Sequence, residues 1–346
     1  MADILNYWTI TGIVIGLLVL LPSIMGFFGG NKFDVKGKTV LITGASEGMG
    51  RSVAKQLSQK GANIIIVSRN VGRLEEALAE IKASAANPST QRFQYISADL
   101  SEPDGNARVI AEAIAWNKGQ APDVVWCIAG ASVPGLFIET SPETMRQQMA
   151  VNFFSCNDMA HAILNEWLAP SSIGKGNTRH LIFTSSVAGL YTIAGYAPYS
   201  PSKAAIKSLS DVLAQEVQLY GDDVKIHTVF PGAIDSPGME RENKTKPEIT
   251  LILEEADKHF TPDETAASSI AGLERGDYLV TVSFLGSLMR ASAWGSSFKN
   301  NYFVDIAMTW LSSIVGVFVA MDLNSKVRSY GKKHGHPSTY RKKVAA

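Results

Sequence analysis

The sequence predicts an α/β fold: a doubly wound parallel sheet between two helical layers, with an N-terminal transmembrane helix before it and apolar, membrane-associated segments after it. Three observations predict this. Short β-branched runs alternate with helical stretches from Lys38 onward, a glycine-rich turn follows the first of those runs, and the stretch from Ile4 to Asn31 carries no charge. The chain has 346 residues, 46% hydrophobic and 18% charged, against about 25% charged in ordinary soluble domains. Such a composition excludes a disordered chain. Lys+Arg and Asp+Glu both number 32, so no bulk positive field draws nucleic acid to it. Its two cysteines, Cys127 and Cys156, exclude a disulfide scaffold and a cysteine-rich zinc site, and they suit a reducing compartment. The six histidines form no ligand cluster, so no metal is expected.

The N-terminal anchor is assigned to residues 1–31. Trp8 to Phe28 is 21 nearly apolar residues, about 31 Å as a helix, which matches a hydrocarbon core of about 30 Å. A cleaved signal peptide would have a basic start and a shorter apolar core; this start carries Asp3 and no Lys or Arg. The catalytic unit is assigned to residues 32–275. Val40–Ile42, Ile64–Val67, Phe93–Ile96, Val124–Ile128, His180–Thr184 and Lys225–Phe230 are its strand candidates, with helical stretches such as Val53–Leu57 and Arg73–Ala83 between them. That alternation is the mark of βαβ units around a buried parallel sheet.

An apolar, membrane-associated region follows over residues 276–323. Tyr278 to Met289 and Ile306 to Met321 are uncharged runs of 12 and 16 residues, both short of the roughly 20 that a helical span needs. Three alternatives stay open for them: a shallow hairpin dipping into one leaflet, interfacial helices, or the surface of a homo-oligomer. Residues 324–346 form a basic tail with seven Lys/Arg and no acid, either solvated or set against anionic headgroups. Lys32, Lys36, Lys38 and Arg51 follow the first apolar segment. The bias of positive charge toward the cytoplasmic side then places the catalytic unit in the cytosol and the N-terminus in the lumen.

The first strand runs into Thr43-Gly44-Ala45-Ser46-Glu47-Gly48-Met49-Gly50. Gly44 allows a tight turn, Gly48 lets backbone approach a pyrophosphate, and Gly50 permits close helix packing. Ser46 and Glu47 lie in the same turn, and the helix N-terminus beyond them favours phosphate. Gly44-x-Ser46-x-Gly48 also fits a nucleophile elbow, but phosphate binding accounts for the same residues together with the later motifs. The second strand ends at Ser68-Arg69, with Arg73 one turn on. An acid there would accept from the ribose of NAD; cations suit the 2′-phosphate of NADP. Asp99-Leu100 closes the third strand, where an adenine edge would lie.

Tyr199 and Lys203 are four residues apart on one helix face. An ammonium beside a phenol favours the phenolate, so Tyr199 is the expected proton donor to a ketone oxygen. Ser186, 13 residues earlier and just past a strand, is placed to hydrogen-bond the same oxygen. Asn152 is a polar residue in the apolar stretch Val151–Phe154.

On these residues the chain resembles the short-chain dehydrogenase/reductase family, over about Lys38 to Ala271. The resemblance rests on Thr43–Gly50, Asp99, Ala129-Gly130, Asn152, Ser186, Tyr199, Lys203 and Pro231-Gly232. It implies a seven-stranded Rossmann-like sheet and hydride transfer with nicotinamide. It further implies that Lys203 holds the nicotinamide ribose, that Asn152 supports a water relay, and that Ile234 and Ser236 meet the carboxamide side. Cys127-Ile128 stands where the family usually has Asn-Asn. Asp235–Gly238 and Glu242–Pro247 look like the loop of the family's membrane-bound branch of 3-ketodihydrosphingosine reductases, although Gly232-Ala233-Ile234 departs from that branch's Pro-Asp-Thr. That likeness implies a long-chain lipid ketone as substrate, NADPH as cofactor, and the endoplasmic reticulum membrane as location. The alternatives are a membrane-anchored reductase of a steroid, retinoid or fatty-acyl ketone and, more remotely, an inactive NADP-binding scaffold.

Overall fold

The computed structural model describes residues 30–173 and 176–339; the predicted N-terminal anchor and the end of the basic tail lie outside the described residues. Seven strands form one parallel sheet: β1 (Thr39–Thr43), β2 (Asn63–Ser68), β3 (Phe93–Ser97), β4 (Val124–Cys127), β5 (Arg179–Thr184), β6 (Val224–Phe230) and β7 (Leu279–Thr281), in the order β3-β2-β1-β4-β5-β6-β7. Chain direction from β1 switches sides between β2 and β4, and the crevice at that switch opens at the strands' C-terminal ends, where ligands bind in such sheets.

The runs are apolar at consecutive positions because both faces are covered. In β1, Leu41 points into one core, while Val40 and Ile42 point into the other, the period-2 alternation of a strand. On the first face lie α3 (Pro103–Trp116), α5 (Ser155–Trp167) and α6 (Ser200–Glu216), with Val109, Ile163 and Ile206 buried against Leu41, Val125 and Phe183. On the second lie α1 (Gly48–Gln59), α2 (Val71–Ala83) and α9 (Pro262–Arg275), with Val53, Leu74 and Ile270 buried against Ile42, Ile66 and Ile182. Between α3 and α5 comes α4 (Pro142–Met149), which runs into a π-helical turn, Ala150–Phe154, before α5 begins. The long connection after β6 carries α7 (Pro237–Asn243) and α8 (Glu248–Leu253).

The C-terminal region corrects the sequence reading. Tyr278 to Met289 begins as part of the catalytic unit rather than apart from it. Leu279 pairs with Thr228 to add β7 to the sheet, the Tyr278 hydroxyl donates to Asp211 at 2.7 Å, and α10 (Phe284–Ser292) follows. The catalytic unit therefore runs beyond residue 275. A strand buried on both faces is apolar throughout, so so short a run resembles a membrane fragment.

Ile306 to Met321 belongs to one uninterrupted helix, α11 (Tyr302–His334), rather than to a hairpin with the earlier segment. At 33 residues, or about 50 Å, it is long and apolar enough to cross a membrane. Yet both its ends are tied to the catalytic unit. Near its start Asp305, 1% exposed, takes a 2.8 Å hydrogen bond from Arg290 of α10. Near its end Tyr330 donates to Glu248 at 2.9 Å and is buried with Ile249 and Leu253 of α8. The helix lies along the domain, and Phe303, Ile306, Trp310, Ile314, Val317, Phe318 and Met321 are exposed on its outer side. Tyr302, Leu311 and Val319 are exposed as well, so the apolar surface extends round the helix beyond that side.

Candidate active site

The C-terminal ends of the strands open into a cleft of about 780 Å³, lined by the glycine-rich turn at one end and by Ser186, Tyr199 and Lys203 at the other. The glycines do what their spacing predicts. Gly44 has φ +66°, and a Cβ on it would lie 2.7 Å from Ala129 backbone; a Cβ on Gly50 would lie 2.3 Å from the Gly44 carbonyl oxygen. Gly48 also has positive φ, and the nearest atom to a Cβ there is Ser236 Cβ at 3.5 Å, leaving the turn open toward the cleft. This cradle would be filled by side chains at any of the three positions, and α1 begins at Gly48 with no side chain capping its N–H groups. The residues present fit a dinucleotide pyrophosphate.

At the adenosine end the structure refines the reading. Arg69 is exposed and 3.7 Å from Asp99. Arg73, expected to face a 2′-phosphate, is paired with Glu47 at 2.9 Å, and Glu47 also takes an ion pair from Arg241 of α7. A carboxylate in the turn collects both cations, whereas Arg69, in its longer pair with Asp99, is the most exposed of the three arginines. Burial pushes the Asp99 carboxyl upward, but hydrogen bonds from the Ser101 hydroxyl and N–H and the Arg69 charge hold it below its ordinary range overall. Leu100 and Ile234 line the cleft wall, and Ser236 caps α7 by accepting from the Met239 N–H at 3.3 Å.

The catalytic side is rigidly built. Tyr199 stands at the N-cap of α6 and Lys203 one turn on, with Lys203 Nζ 5.6 Å from the Tyr199 ring centre. The ammonium is buried and donates to the Thr184 carbonyl at 3.0 Å; burial pulls its pKa down. Ser186 accepts from the Ala188 N–H at 3.1 Å and hydrogen-bonds the Tyr199 phenol. Burial, then the charge of Glu242, holds the phenol above its ordinary range, with the Ser186 hydrogen bond acting the other way. Burial and the Glu242 carboxylate set the direction here, where the sequence reading gave that part to the lysine. Asn152 sits inside the π-turn, a feature frequent at functional sites. Its Nδ2 donates to the Ala131 and Gln148 carbonyls, both at 2.9 Å, while its Oδ1 accepts from the Ala131 N–H at 3.0 Å. A Cβ on Gly130 would come within 2.7 Å of Asn152 Oδ1 and 3.3 Å of Lys203 Nζ, so the glycine admits both polar groups.

A model of the short chain dehydrogenase family matches residues 38–247. The chain belongs to that family. It is 52% identical over 97% of its length to a 3-ketodihydrosphingosine reductase of Neurospora crassa, covering 94% of that protein. It is 47% identical over 95% of its length to a 3-ketodihydrosphingosine reductase of Aspergillus fumigatus, covering 94% of it. A short-chain dehydrogenase from Sphingobium yanoikuyae, solved in complex with NADPH, superposes with a TM-score of 0.61 at 22% identity over 80% of this chain and 95% of that one. Members of the family are oxidoreductases that bind a nicotinamide cofactor, and the glycine-rich turn, Ser186, Tyr199 and Lys203 line one cleft.

Sequence reasoning missed a polar network beside Tyr199. The buried Tyr196 hydroxyl is 2.6 Å from both Glu242 and Glu254, and Lys246 is 3.1 Å from Glu242 and 2.7 Å from Glu254. All four line the cleft. The i,i+4 spacing of Glu242 and Lys246 was the visible signal; the contribution of Glu254 and Tyr196 depends on the loop's folded path.

Proposed function

We propose that the chain reduces the ketone of 3-ketodihydrosphingosine to dihydrosphingosine with NADPH. The observation that carries this reading is the 52% identity to a named reductase along 97% of the chain. With the pyrophosphate of the cofactor held in the glycine cradle, its nicotinamide would supply the hydride at the far end of the cleft. The protein supplies position and a proton. Tyr199 gives its phenolic proton to the ketone oxygen, and Ser186 hydrogen-bonds that oxygen as charge builds on it. Lys203 holds the ribose side and favours the phenolate once the proton has left. Asn152 keeps the Ala131 segment and the floor beneath Lys203 in place. Arg69 meets the 2′-phosphate and selects NADPH.

The membrane setting supports the same substrate. The exposed apolar face of α11 suits a bilayer surface, and its far end packs on α8, whose Leu251 lines the cleft. That places the helix beside the wall of the cleft, on the side from which a long-chain ketone held in lipid would approach. We place the protein in the endoplasmic reticulum membrane with its catalytic unit in the cytosol, on the charge bias of Lys32, Lys36, Lys38 and Arg51 after the apolar N-terminus.

Purified full-length protein in liposomes, given NADPH and 3-ketodihydrosphingosine, a steroid ketone or retinal, tests the reading. NADPH oxidation with the first and formation of dihydrosphingosine is the expected result. Bound NADPH without turnover of that substrate would overturn it.

A further inference from the structure

The substrate of the proposed reaction carries a primary amine on the carbon next to its ketone, a cation near neutral pH. We infer that Glu242, backed by Glu254, receives this ammonium and so selects an amino ketone over a plain one. The inference rests on the reading of the substrate given above.

One requirement of the chemistry and three observations set the carboxylate on the side where the ammonium is expected. The ketone oxygen has to reach the Tyr199 phenol, which fixes the neighbouring carbon beside it. Tyr196, whose ring centre is 5.9 Å from that of Tyr199, holds Glu242 Oε1 by a 2.6 Å hydrogen bond. Among the described residues Glu242 Oε2 takes no hydrogen bond from protein, and the side chain is 16% exposed on the cleft side. Finally, the network lacks one positive charge. Glu242 and Glu254 face the single ammonium of Lys246, and Asp257 lies in the same wall. Glu254 is occupied at both oxygens, by Tyr196 and by Lys246, which leaves Glu242 as the acceptor.

The arrangement also couples binding to chemistry. The Glu242 charge adds to burial in holding the proton on Tyr199. An arriving ammonium offsets that charge, so the phenol releases its proton more readily when the amino ketone is in place. A plain ketone brings no such compensation and leaves a desolvated carboxylate unpaired.

The test compares 3-ketodihydrosphingosine with the same-length 1-hydroxy-3-ketone lacking the amine. A charge-assisted hydrogen bond corresponds to about tenfold to a hundredfold in kcat/KM, so the wild type favours the amino ketone by that ratio and Glu242→Gln brings the ratio close to one. An unchanged ratio in Glu242→Gln overturns the inference. Calorimetric binding of dihydrosphingosine and of its des-amino diol to the NADP-loaded wild type gives an answer that depends on no variant: equal affinities overturn it. Equal turnover of both ketones by the wild type refutes the role of Glu242 alone. Turnover of neither, with NADPH bound, refutes the substrate reading and the inference with it.

Discussion

Two lysines line the same cleft, and each is shut away from solvent: Lys203 is 3% exposed and the Lys246 side chain 4%. Among the described residues Lys203 donates one hydrogen bond, to the neutral Thr184 carbonyl, and burial lowers its pKa against an opposing contribution from Cys156. Lys246 is gripped by two carboxylates and its pKa is raised, since their hydrogen bonds and charges together outweigh the burial that opposes them. The difference separates a working charge from a fastening one. A buried cation without a counter-ion is costly, and that cost is tolerated where an incoming ligand completes the site. A cation with its counter-ions already present holds a loop closed.

The largest effect that can test this division is on Tyr199, the group Lys203 serves. Tyr199→Phe keeps the ring, so nicotinamide binding measured by fluorescence stays near wild type while turnover falls about 10²–10⁴-fold. Near-normal turnover would dissolve the working side of the comparison. Lys203→Met loses both quantities: turnover drops by a similar factor and NADPH affinity drops with it, because the same ammonium faces phenol and ribose. Lys246→Met has the opposite signature. Removing one partner of a buried ion pair costs about 3–5 kcal/mol, read as a fall of roughly ten degrees in Tm, with cofactor affinity retained.

The alkaline limb sharpens the contrast. Lys246 has a folded pKa raised above 10.5, so its ion pairs contribute fully below pH 10.5 and are lost as pH rises through the folded value. Lys203 has a folded pKa below 10.5; between that value and 10.5 the unfolded chain binds more protons, so its share of the stability rises with pH. Thermal melts at increasing pH should therefore show a steeper alkaline loss in Lys203→Met and a shallower one in Lys246→Met. Identical limbs would show that the two environments do not differ in solution. The smallest expected effect is at the exposed end of the cleft. Arg69→Ala lowers the NADPH-over-NADH ratio of kcat/KM by about tenfold, and an unchanged ratio would reassign Arg69 to the surface.

Much of this was legible from residue order. The glycine turn and the Ser186, Tyr199, Lys203 set announce themselves because each needs a fixed spacing next to a strand or helix, and local geometry enforces that spacing. β7 was not legible, since a three-residue strand buried on both sides has no period to display. The length of α11 was hidden by Asp305 and Asp322, which read as the ends of an apolar run. Asp305 is instead neutralised inside the domain by Arg290, while Asp322 pairs with Lys326 on the helix surface. The Arg241 pairing with Glu47 and the Glu242 network depend on how the connection after β6 folds back over the turn, and no local pattern encodes that.

α11 carries a further consequence. A helix fastened to the domain at Asp305 and again at Tyr330 cannot tilt independently, so an interface bound to its outer face fixes the compass bearing of the cleft. On the membrane placement proposed above, the enzyme would search a surface rather than a volume. Its rate would then follow the mole fraction of ketone among the surrounding lipids, and the expected outcome of diluting the bilayer with inert phospholipid is slower turnover even when the amount of substrate per millilitre is unchanged.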